Sequence, residues 1–166
     1  MTESELLSLV VEFSIGLGGF SAIAAAFIHQ NRSMSAEDIY RVLNMLMMAL
    51  GPAFIALFTL GILHVSLDIR FANGLLLIYI CCALLQAELG KRRLSAKEQK
   101  VLIPKLVFVM QTVFVLNGAT QLLASAGVLS QGFLVLYAGL VVVLMQAVVQ
   151  FVRLIVARPA TVTDID

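Results

Sequence analysis

Glu12 is the residue whose type and setting most invite chemistry. Val10, Val11 and Phe13 flank it, inside an apolar run that opens at Leu6. A carboxylate in such a run is costly in hydrocarbon, so it faces protein or water, or it takes up a proton. It could serve as an ion or proton site, contact a substrate, or anchor another helix by a hydrogen bond. Depth ranks its candidate partners. At about 1.5 Å per residue, Glu12 falls about 7 Å outside the midplane of its span and Gln121 about 9 Å out on the same side. On the same scale Asn117 is close to the midplane and His64 is about 15 Å out, at the interface. Gln121 is therefore the expected partner, and His64 reads as an interfacial imidazole.

The remaining intramembrane polar residues are amides. Asn117 and Gln121 are four apart and share a helix face. Gln146, Gln150 and Arg153 form a second stripe, spaced four and then three. Inward-turned amides either hold helices together or line a hydrated cavity. Arg153, near the end of its run, is expected to snorkel to the interface. Small residues recur every fourth position at Ser14, Gly18, Ala22 and Ala26. Such a stripe lets backbones approach closely, and we expect a tight helix–helix contact there, within the subunit or between subunits.

Other motifs lead nowhere catalytic. Gly16-Leu17-Gly18-Gly19 lies within a span and lacks the Lys-Ser/Thr of a phosphate loop. Gly19-Phe20-Ser21-Ala22 faintly resembles the serine motif of intramembrane proteases, but His64 is too shallow to serve as the base. Met45, Met47 and Met48 fit apolar packing better than copper binding, since no second soft-ligand cluster accompanies them. Cys81 and Cys82 are adjacent and read as small packing residues. No metal-ligand spacing occurs, no cofactor is implied, and no nucleophile–base pair lies at matching depth.

The elements that must position these residues follow from composition. Of 166 residues, 61% are hydrophobic and 13% charged, with a net charge of +1. A soluble domain carries far more charge, and disorder needs low hydrophobicity. The near-zero net charge gives no global footprint for nucleic acid. Five runs suit a span of about 20 apolar residues: 6–28, 42–66, 71–87, 106–126 and 133–157. The expected fold is an all-α, polytopic transmembrane helix bundle forming one membrane domain over 1–166. The acidic start, Glu3 and Glu5, argues against a cleaved signal peptide.

Orientation follows from the basic residues. Of the 11 Lys and Arg, all but Arg70 fall on one side of a five-span chain. The expectation is an N-terminus outside and a C-terminus inside. If 71–87 only dipped into the membrane, four spans would give a nearly equal charge split. The continuous run Leu75–Ile80 favours a full crossing. Lys91, Arg92, Arg93, Lys97 and Lys100 form a juxtamembrane basic cluster suited to anionic lipid headgroups. Ser35-Ala36-Glu37-Asp38 and Ser95-Ala96-Lys97-Glu98 fit capping boxes at helix starts. Pro104 suggests a short interfacial helix over 96–103, and Gly51-Pro52 a bend within the second span.

These residues point to a small multi-pass protein of a plasma membrane or bacterial inner membrane. Its expected role is a self-associating or partner-binding membrane subunit or scaffold, not an enzyme. The alternative is an oligomeric channel or transporter for ions or small solutes, with Glu12, Asn117, Gln121 and Gln146 on the path. A membrane enzyme acting on lipid or peptide is the third reading.

Overall fold

A computed structural model describes the backbone of residues 1–29, 36–65, 67–93 and 104–156, and the side chains of 1–27, 42–65, 67–90 and 108–152. Among these residues the chain is all helical: α1 (Glu3–His29), α2 (Ala36–His64), α3 (Arg70–Arg93), α4 (Pro104–Ser125) and α5 (Gly132–Val156). Each helix contains a stretch long and apolar enough to cross a membrane. That holds for the third as well, whose apolar stretch Arg70–Gly90 is longer than the 71–87 read from sequence.

Local chemistry sets the helix ends. Thr2 and Glu5 form a reciprocal capping box that the sequence analysis does not single out. The Thr2 amide donates to Glu5 Oε2 at 2.8 Å, and the Glu5 amide donates to Thr2 Oγ1 at 3.3 Å. Asp68 caps α3 by accepting the Arg70 amide at 2.9 Å. α4 closes on a Schellman turn. Gly127 adopts φ 75°, its amide donates to the Ala124 carbonyl at 3.0 Å, and the Val128 amide donates to the Leu123 carbonyl at 3.0 Å. α2 begins at Ala36, directly after Ser35, which lies outside the described residues, as do the second expected capping box and the segment 96–103.

α5 is the central helix. It packs against all of the others, while α1, α2, α3 and α4 follow one another around it. α1 packs on α2 and α5, and α4 on α3 and α5, so the ring stays open between α4 and α1. The core is built from Leu136, Leu140 and Val143 of α5, with Leu76 and Ile80 of α3 and Ala49 and Ala56 of α2.

Small residues mark the closest approaches. The buried face of α1 runs through Leu7, Val10, Ser14, Gly18, Ser21 and Ala25. A methyl at Gly18 would lie 2.8 Å from Leu50 Cδ2 of α2. Of the stripe, Ser14 and Gly18 face inward on this buried side, whereas Ala22 and Ala26 are exposed. A strict four-residue spacing drifts around a helix, and alternating three- and four-residue steps keep one face on a neighbour. On α2, Gly51 leaves room for the ring of Tyr79, whose hydroxyl donates to the Met47 carbonyl at 2.9 Å. Pro52 lacks an amide hydrogen for the adjacent Met48 carbonyl, and α2 remains helical through it. Cys81 and Cys82 are free and exposed, so neither packs inside this bundle.

Candidate functional site

The polar residues named from sequence divide into two places. The first is an amide seam along α5. Asn117 Nδ2 of α4 donates to the Gly139 carbonyl at 3.1 Å. Gln121 Nε2 donates to the Val135 carbonyl at 3.0 Å and to Asn117 Oδ1 at 3.2 Å. Farther along, Gln146 Nε2 donates to the Met110 carbonyl at 3.1 Å. Asn73, which the sequence analysis does not single out, ties α3 to α5 by donating to the Gly132 carbonyl at 3.2 Å.

Glycines make this seam possible. A methyl at Gly139 would overlap Gln121 Nε2 and come within 2.8 Å of Asn117 Oδ1. The amides therefore reach the α5 backbone where a side chain is missing. This signal was available in sequence, since Gly132 and Gly139 are seven apart and mark one helix face.

One asymmetry runs through the bundle. The amide donors named above reach carbonyls, whereas Asn44 Oδ1, Asn73 Oδ1 and Gln121 Oε1 are buried without a partner. A helix interior offers a neighbour its carbonyl lone pairs but no free amide hydrogen, because its amides are already used along the helix. Free amide hydrogens are thus scarce inside this bundle. Ser14 Oγ and Ser21 Oγ are also buried without a partner.

Glu12 occupies the second place. It is exposed on the outer side of α1. It lines an open groove of about 460 Å³ between α1 and α5, with Leu9, Val10, Phe13, Tyr137, Val141, Leu144 and Met145. No described residue is hydrogen-bonded or ion-paired to it. Gln121, the partner expected from depth, is engaged with α5 instead. The reason is rotational: α4 turns Gln121 toward α5, and α5 stands between α4 and α1. Neither Asn117, Gln146 nor His64 is among the groove residues.

His64 is exposed at the last position of α2. Near that end, Arg70 Nε lies 3.5 Å from Asp68 Oδ2, with both side chains about half exposed. The Arg70 guanidinium also lies over Gly127, where a methyl would meet it at 2.6 Å. Lys91, Arg92 and Arg93 continue α3, and their side chains lie outside the described residues, as do Lys97 and Lys100 entirely. No family model matches the chain, and no curated protein or solved structure matches it.

Proposed function

We propose that this chain is a multi-pass membrane subunit that associates with a second copy of itself through the outer face of α1. In this reading its five helices cross the membrane, with the N-terminus outside. The basic residues from Lys91 to Lys100 then meet anionic headgroups on the inner side.

The observation that carries the reading is Glu12, an unpartnered carboxylate on the outside of an apolar bundle. An insertion scale places charged residues at about 2.5–3.5 kcal/mol in the middle of a span, so lipid is a poor neighbour for it. Its own face of α1 suits another helix. Ser8, Gly16, Gly19 and Ala26 lie exposed along the same side of α1, and a methyl at Gly16 or Gly19 would touch nothing. Small residues let two backbones approach closely. Two parallel copies bring Glu12 of each to the same depth, one turn from Ser8 of the other. The serine hydroxyl then supplies a donor to the carboxylate.

Native mass spectrometry of the detergent-solubilised protein tests this. The expected particle is a dimer or larger for the parent chain and a monomer for Gly16→Leu. A monomeric parent chain would sink the proposal.

A further inference from the structure

The groove beside Glu12 has a composition of its own. Its volume of about 460 Å³ is within the range of small-molecule sites, roughly 300–1,000 Å³. Seven of its eight lining residues present apolar or aromatic surface, and the eighth is Glu12. We infer that this groove binds a hydrophobic organic cation, entering sideways from the bilayer. This goes beyond self-association: the groove is formed by α1 and α5 of one chain, and a ligand there would take Glu12 in place of the Ser8 of a second copy.

Three observations select that class of ligand. The first is charge. Among the described residues no Lys, Arg or His lines the groove, so the carboxylate there favours a cation. The second is surface. Val10, Val141, Leu144 and Met145 offer an apolar bed, and Phe13 and Tyr137 add aromatic surface of the kind that attracts organic cations. Tyr137 is held by stacking on Phe133, with ring centroids 6.5 Å apart. The third is the lack of an internal partner: no described residue is hydrogen-bonded or ion-paired to Glu12. A zwitterionic lipid fits less well. Its phosphate would approach Glu12 with no basic residue in the groove to offset the repulsion.

Tetraphenylphosphonium and tetraphenylborate share a shape and carry opposite charge, which makes them suitable probes. Equilibrium dialysis would use the full chain in nanodiscs of neutral phosphatidylcholine, with empty nanodiscs as the partition blank. Saturable binding of the phosphonium above the blank is expected, and none of the borate. Glu12→Gln should weaken phosphonium binding about tenfold or more, the loss expected when a desolvated charge partner is removed. Met145→Trp fills the groove from an exposed position and should abolish saturation while Glu12 is retained. Gly16→Leu, which separates the copies and frees Glu12 from the Ser8 of a second copy, should bind the phosphonium at least as tightly as the parent chain. Phosphonium uptake no greater than the blank, equal saturation by the borate, or unaltered affinity in Glu12→Gln would overturn the inference. Circular dichroism of each variant confirms that the helices are intact.

Discussion

The amide seam on one side of α5 and the Glu12 groove on another are both polar features of apolar helices, yet they are settled differently. An amide side chain brings its own donors. Asn117, Gln121 and Gln146 spend theirs on carbonyls of neighbouring helices. An ionised carboxylate brings only acceptors, and a bundle of helices has no spare amide hydrogens to offer it. The seam amides therefore find partners within one chain, and no described residue pairs with Glu12. The two orphan oxygens Asn73 Oδ1 and Gln121 Oε1 reflect the same shortage inside the seam. In an apolar bundle, amides serve internal packing readily, and an acid points to something beyond the chain.

The contrast can be broken by experiment, first with bulk. Gly139→Leu drives a side chain into Gln121 and Asn117 and should cost about 3 kcal/mol or more, seen as a sharp drop in thermal midpoint in detergent. Gly16→Leu meets open space and should leave that midpoint unchanged. Equal losses would mean that the outer face of α1 is not free. Next comes polarity. Glu12→Leu should stabilise the chain in nanodiscs by up to about 2 kcal/mol under conditions that keep it monomeric, because lipid no longer meets a carboxylate. Gln121→Leu should instead destabilise it by about 1 kcal/mol, since it removes a donor that the Val135 carbonyl and Asn117 both use. Tyr79→Phe, which deletes the bond to the Met47 carbonyl, should cost about 1 kcal/mol without changing the oligomeric mass. The smallest effect is expected for Gln146→Leu, about 0.6 kcal/mol, the average for an interhelical bond between apolar helices.

The five apolar helices were legible because a run of apolar residues of that length has few other uses. Their faces were not. In a soluble bundle the polar side of a helix reveals its outside, but lipid is as apolar as Leu and erases that mark. Hence Ala22 and Ala26 read as equivalent to Ser14 and Gly18, although α1 turns them away from its buried face. Depth is a one-dimensional measure, and it made Gln121 the partner of Glu12 because rotation about the helix axis was unknown. Close approaches such as Gly51 with Tyr79 pair residues on different helices, and nothing in the spacing of either helix announces them. The Thr2–Glu5 cap was legible in principle, for its spacing is that of the boxes recognised at Ser35 and Ser95.

The central claim is that the outer face of α1 around Glu12 is a contact surface between copies. Disulfide cross-linking in native membranes tests it most directly. With Cys81 and Cys82 replaced by Ser, a single cysteine would be placed either by Gly16→Cys or by Leu116→Cys, the latter on the exposed side of α4. The account predicts an oxidant-dependent dimer for Gly16→Cys that weakens when Glu12→Gln is added, and monomer for Leu116→Cys. Monomer from Gly16→Cys, or equal dimer from both positions, would contradict it.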